Sequence, residues 1–168
     1  MKLPFEADEI VPGLWQGPLP PRGDVLRKFG FDAVVLASIE WQFEDESFGG
    51  ITVIRAPNRD DGSELTREQL TLAVRTARQC VPRIRGGQKV LVTCTAGVNR
   101  SGLVSALTLH FLNGWSGSYC REVVRAQRKP SCGLPPLCNQ HFSNALLRLP
   151  ARNLEEAPPE PLILVARS

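Results

Sequence analysis

Two side chains on one short turn raise the chemical question in this chain: a thiol at Cys94 and a guanidinium at Arg100, separated by Thr95, Ala96, Gly97, Val98 and Asn99. A thiolate is a strong nucleophile, and the planar fork of an arginine takes two phosphate oxygens at once. The turn follows the apolar, β-branched run Val90-Leu91-Val92-Thr93 and leads into an apolar pattern of helical type, Leu103, Val104, Ala106, Leu107, Leu109 and Leu112. A loop between a strand end and a helix start aims several N–H groups at one point, and the helix dipole adds partial positive charge there. Such a place suits an oxyanion, and it stabilises a thiolate over a thiol.

The chemistry implied is in-line attack of Cys94 on phosphorus, giving a phosphocysteine intermediate. Arg100 and the N–H groups of Thr95, Ala96, Gly97, Val98, Asn99 and Arg100 would hold the equatorial oxygens. The leaving oxygen needs a proton, which calls for an acid on a separate loop. No metal or cofactor is required, because the guanidinium and the loop dipoles balance the dianion. A bare Cys-x5-Arg pair arises easily by chance; the buried strand before it, Gly97 within it and Arg100-Ser101 at a helix start make it specific.

Cys94-x-x-Gly97-x-x-Arg100-Ser101 resembles the signature of the Cys-based protein tyrosine phosphatases in their small, dual-specificity form. Ile10-Val11-Pro12-Gly13-Leu14-Trp15-Gln16-Gly17 is similar to that family's opening strand. Gly114-Trp115-Ser116, Arg128-Lys129-Pro130 and Asn139-Gln140-His141-Phe142 follow the order of its C-terminal helices, so the resemblance covers about residues 8 to 149. It implies a shallow cleft for phosphotyrosine and also phosphoserine or phosphothreonine, on a phosphorylated protein or a small aryl phosphate. It also implies that Ser101 hydrogen-bonds the sulfur and helps it leave, and that an Asp on a mobile loop is the general acid. Asp60 and Asp61 both satisfy the spacing. Gly62 lets the chain turn sharply behind Asp61, and Asp-Asp-Gly resembles members in which the Asp beside the Gly donates the proton. Asp61 is therefore the expected donor, with Asp60 as a brace.

One departure stands out. Thr93 occupies the place where the family usually carries His, and a hydroxyl supplies only one donor, so weaker support of the thiolate is expected. Two other readings follow from the same residues. A non-hydrolysing, phosphopeptide-binding pseudophosphatase usually lacks the Cys or the Arg, and both are present here. Val98-Asn99-Arg100-Ser101 also resembles RNA 5′-phosphatase or triphosphatase members of the superfamily. The turn carries no Lys, which argues against a head group with several phosphates.

The elements that must position this turn are legible around it. The 168 residues suit one catalytic domain, 1–150, with a Glu/Pro-rich and mobile tail over 151–168, in which Leu162 to Val165 could dock onto the sheet. A net charge of +3 is too small for a nucleic-acid footprint. No apolar run reaches membrane-spanning length, and Met1 to Glu6 lacks the core of a signal peptide. Cys80, Cys94, Cys120, Cys132 and Cys138 show neither disulfide nor zinc spacing, which favours a reducing cytoplasm. A monomer is expected.

Strands are expected at Ile10 to Gln16, Phe31 to Ala37, Ile51 to Ala56 and before Cys94, with residues 1–9 a loose arm. Helices are expected near Asp24 to Phe29, from Thr66 with a Thr66/Gln69 capping box and a buried stripe of Leu70, Ala73, Val74, Ala77 and Val81, over Ser101 to Asn113, over Ser118 to Arg128 and over Asn139 to Leu149. The acidic stretch Glu40 to Glu46, with Trp41 and Phe43, is either a solvated loop with its rings tucked in or a substrate-flanking rim. His110 and His141 read as core or surface residues, not catalysts. Strands alternating with helices predict an α/β fold: a largely parallel central sheet flanked by helices, with the Cys-x5-Arg turn at the carboxyl end of a central strand.

Overall fold

A computed structural model describes residues 2–152. The tail expected beyond Pro150 lies outside the described residues from 153 onward, Leu162 to Val165 included.

Two strands, β3 (Ala33–Ser38) and β5 (Val90–Thr93), are buried along their whole length. Near-continuous apolar strands of this kind need cover on both faces. They sit inside a five-stranded sheet of order β1-β2-β5-β3-β4, completed by β1 (Asp8–Val11), β2 (Leu14–Gly17) and β4 (Thr52–Asn58). β2, β5, β3 and β4 run parallel, and β1 alone pairs antiparallel to β2. The largely parallel sheet flanked by helices is the expected fold class.

Two differences from the sequence reading bear on the sheet. A single strand was expected from Ile10 to Gln16, but Pro12-Gly13 folds it into a hairpin, with Gly13 at φ +86° and Val11 facing Leu14. A left-handed Gly is what such a tight turn needs. β4 also runs on through Pro57 to Asn58. It is the sheet's edge strand, where a missing N–H breaks no ladder.

Five α-helices lie among the described residues, α1 (Gly23–Lys28), α2 (Arg67–Arg85), α3 (Arg100–Asn113), α4 (Gly117–Gln127) and α5 (Gln140–Leu147), with a short 3-10 turn at Asp45–Phe48. Alternate strand residues separate the two faces. Ala33, Val35, Val90 and Val92 join the core made with α2 to α5, while Val34, Leu36 and Leu91 pack with Leu26, Phe31, Phe48 and Ile51. The α2 capping box forms on both arms, and the expected stripe Leu70, Ala73, Val74, Ala77 and Val81 is buried. Helix α3 is buried on every side from Arg100 to Phe111, so it is the axis on which the other helices pack. His110 is part of that core: its Nδ1 lies 2.7 Å from the Trp115 carbonyl. Burial holds its pKa below the ordinary value, against the opposing effect of that bond.

Two local devices hold the helices and strands at the working end. Thr93 is fully buried, and its hydroxyl donates to the Val35 carbonyl at 2.6 Å, tying β5 to β3. Its one donor is thus spent on a neighbouring strand. Gly117 opens α4 under α5, with its N–H on the Leu149 carbonyl at 2.9 Å; a Cβ there would overlap the Leu146 carbonyl.

Two outcomes follow. Thr93→Val should cost about 1–2 kcal/mol by leaving a buried carbonyl short of a donor. Calorimetry should show a Tm lower by roughly 2–6 °C. The pH profile of Cys94 alkylation by iodoacetamide should not move, and a shift in that profile would return the hydroxyl to the thiol. Gly117→Ala should cost about 1–3 kcal/mol through overpacking, read by the same scan.

Candidate active site

β5 ends at Thr93, and the chain turns through residues 94–99 into the first turn of α3 at the carboxyl edge of the sheet. Cys94 is 2% exposed, and its Sγ lies 3.2 Å from Ser101 Oγ. Arg100 is 5% exposed at the start of α3. Its Nη1 donates to the Asn58 carbonyl at 3.1 Å and to Glu40 Oε2 at 2.5 Å, and its Nη2 donates to Thr95 Oγ1 at 3.0 Å. The third nitrogen of the fork, Nε, is buried with no hydrogen-bond partner among the described residues. Three protein groups therefore set the plane of this guanidinium and leave one donor edge unspent.

The turn faces its amides one way because its carbonyls are taken the other way. The Gly97 carbonyl accepts from Gln16 Nε2 at 3.1 Å and from Arg128 Nε at 3.0 Å, and the Val98 carbonyl accepts from the Leu137 N–H at 3.1 Å. In a trans peptide the C=O and the following N–H point to opposite sides, so the amides of Val98 and Asn99 face away from these donors. Gly97 has φ +67°, and a Cβ on it would stand 2.5 Å from Gly17 C, 2.6 Å from Pro18 N and 2.7 Å from Arg128 Nη2. Only glycine fits there.

The structure brings Cys94, Thr95, Ala96, Gly97, Val98, Asn99, Arg100 and Ser101 onto one turn. Of the two acids, Asp60 is the one tied to it. Asn99 Nδ2 donates to Asp60 Oδ2 at 2.9 Å, Asn139 Nδ2 donates to Asp60 Oδ1 at 2.8 Å, and the Asn139 N–H closes the network on Asn99 Oδ1 at 2.9 Å. Asp61 is exposed and turns onto Ser63, accepting from its N–H at 3.0 Å and from its hydroxyl. The Ser63 hydroxyl, then its N–H, hold the Asp61 carboxyl below the ordinary carboxylate range.

Glu40 and Arg128 are two charged residues in contact with the turn that the sequence alone does not single out. Neither belongs to a spacing pattern with the turn; Glu40 stood only as one of several acids in the stretch read two ways above. In that stretch one ring is tucked in and the other is exposed. Glu40 reaches Arg100 at the rim, while Phe43 packs against Phe48 with ring centroids 6.2 Å apart and Trp41 stays 68% exposed. Burial of the Glu40 carboxylate works against its charge but is outweighed by the Arg100 hydrogen bond and charge, its own backbone N–H and the Thr95 hydroxyl together, so its pKa lies below the usual value. Cys80 and Cys120 are helix-core thiols pushed up to about 12 by burial. Among the described residues no group of His, Cys, Asp and Glu is arranged to hold a metal ion, and no helix is long and apolar enough to cross a membrane.

No protein-family model matches this chain, and no curated protein sequence does. Solved structures match over most of its length. Tk-PTP in its active form is 26% identical, with 82% of this chain and 91% of that one covered at a TM-score of 0.66. Human DUSP28 is 22% identical, with 83% and 94% covered at a TM-score of 0.65. PTPMT1 is 19% identical, with 83% and 92% covered at a TM-score of 0.64. These neighbours are dual-specificity and protein tyrosine phosphatases. The fold that carries Cys94 and Arg100 is that of the Cys-based protein tyrosine phosphatases in their small, dual-specificity form.

Proposed function

We propose that this chain is a phosphomonoester hydrolase that removes phosphate from phosphotyrosine, and from phosphoserine and phosphothreonine, in protein substrates. The observation that carries this reading is the unspent Nε of Arg100, buried on the turn that also buries Cys94. A buried donor without an acceptor costs about 1–3 kcal/mol, a cost that a bound oxyanion removes.

In the proposed reaction two phosphate oxygens take the Nε and Nη2 edge of Arg100, while Nη1 stays on Glu40 and the Asn58 carbonyl. The inward amides of the turn take the remaining charge. The Cys94 thiolate attacks phosphorus opposite the leaving oxygen; a P–S bond forms as the P–O bond breaks, and the leaving oxygen takes a proton. Water then attacks phosphorus, the P–S bond breaks, and the sulfur leaves as thiolate with the Ser101 hydroxyl 3.2 Å away to support it. The guanidinium and the amides balance the dianion, so the reaction as drawn uses no metal.

The proton is assigned to Asp60 in place of the expected Asp61. Reach comes first in choosing a general acid, and Asp60 is the carboxyl joined to the turn through Asn99. Asp61 is turned onto Ser63 and makes no hydrogen bond to the turn among the described residues.

Hydrolysis of p-nitrophenyl phosphate, blocked by orthovanadate, is the expected result for the wild-type chain. Cys94→Ser should lower kcat by about 10³-fold or more while vanadate still binds, and Arg100→Lys should be nearly as damaging because an ammonium has no fork. Vanadate binding without turnover in the wild type would make the chain a phosphopeptide-binding module instead. Asp60→Asn should lower kcat by about 10²-fold on an alkyl phosphate and much less on p-nitrophenyl phosphate, whose leaving group hardly needs the proton. If Asp61→Asn shows that signature and Asp60→Asn does not, the proton belongs one residue later.

A further inference from the structure

Arg128, which ends α4, is a cation with no exposed side-chain surface. A buried guanidinium is expensive unless it is paired and all its donors are met. Here the pairing is lopsided in an informative way. On one side Nη1 meets Asp8 Oδ2 at 2.7 Å and Nη2 meets Glu6 Oε1 at 2.5 Å. On the other side Nε donates to the Gly97 carbonyl at 3.0 Å, and Nη2 donates to the Ala96 carbonyl at 3.5 Å. Arg128 therefore stands between the N-terminal arm and the back of the catalytic turn.

The two acids are themselves fixed. Asp8 accepts from the Lys129 N–H at 2.8 Å, and Glu6 accepts from the Ser131 N–H at 3.0 Å and the Ser131 hydroxyl at 2.5 Å. Burial of Glu6 works against its charge but is outweighed by the bonds from Ser131 and Arg128, which hold its carboxyl below the ordinary range. Two carboxylates bound at their far ends define the plane of the guanidinium, and that plane defines where its donors point.

We infer that Arg128, held by Glu6 and Asp8, is a positioning residue for the phosphate-binding turn. By drawing the Ala96 and Gly97 carbonyls backward, it turns the amides of Gly97 and Val98 toward the bound oxyanion. It touches neither substrate nor sulfur. The arm, expected as a loose lead into the first strand, is on this inference part of the catalytic apparatus. A lysine at 128 keeps the charge but, as a point donor, cannot serve two carbonyls and two carboxylates in one plane.

The inference rests on the hydrolase reading, and the test separates them. Arg128→Lys, and the double variant Glu6→Gln with Asp8→Asn, are made in the full chain. Each is assayed well below its Tm for orthovanadate Ki and for kcat and KM on p-nitrophenyl phosphate. Arg128→Lys should raise the vanadate Ki and lower kcat/KM by about 10-fold or more, since small misplacements of oriented donors are costly. The double variant should move both in the same direction. If Arg128→Lys fails to fold, the double variant decides, because its carboxamides keep the shape of partly exposed side chains. Vanadate Ki and kcat/KM within about two-fold of wild type in the folded variants, with only Tm lowered, would make Arg128 structural and overturn the inference. A wild-type chain that neither binds vanadate nor turns over overturns the hydrolase reading and takes this one with it.

Discussion

A peptide turn can offer its amides to an anion only if something else accepts the task of holding its carbonyls. That constraint shapes this protein more than any single side chain. The carbonyls of Ala96, Gly97 and Val98 are held from behind by Arg128, Gln16 and the Leu137 N–H. Those donors come from the end of α4, from β2 and from the loop before α5. The sheet order, with β2 beside β5, brings Gln16 under the turn. Packing of α4 and α5 on α3 brings the other two. The close approach that results explains why residue 97 has no room for a Cβ.

Charge is arranged around the same turn in two shells with opposite tasks. Arg100 is oriented from outside, by Glu40 on the loop after β3 and by the Asn58 carbonyl at the end of β4. Its remaining edge lies free at the centre. Arg128 has a partner at each of its three nitrogens and lies behind the turn. A buried guanidinium left with an open donor is costly, whereas one that is fully paired is tolerated. The two arginines thus differ in that Arg100 keeps a buried donor without a partner among the described residues, whereas every nitrogen of Arg128 is bonded.

Alignment of these parts depends on a rigid axis. Helix α3 has no solvent face from Arg100 to Phe111, and it touches the sheet, α2, α4 and α5. Its first residue is Arg100, so packing along its length fixes the guanidinium at its start. His110 near its other end is buried and tied to the Trp115 carbonyl, and burial holds its pKa below the ordinary value, so it is part of the core.

The strand-turn-helix around Cys94, the Thr66/Gln69 cap, the buried stripe of α2 and the parallel sheet were all legible in the sequence, because each is written in residues close together: a periodicity, a cap, a short spacing. Pro12-Gly13 was legible too, but its hairpin was read through as one strand, since four-residue strands leave almost no alternation to detect. What only the tertiary structure decided are the partners. Thr93 spends its hydroxyl on Val35, Glu40 meets Arg100, Asp60 meets Asn99 and Asn139, and Glu6 and Asp8 meet Arg128. Each pair joins segments far apart in the chain, and no local pattern records which acid a given arginine will face. Local propensity specifies the elements; their packing selects which charges are brought out of water together, and that selection made the site.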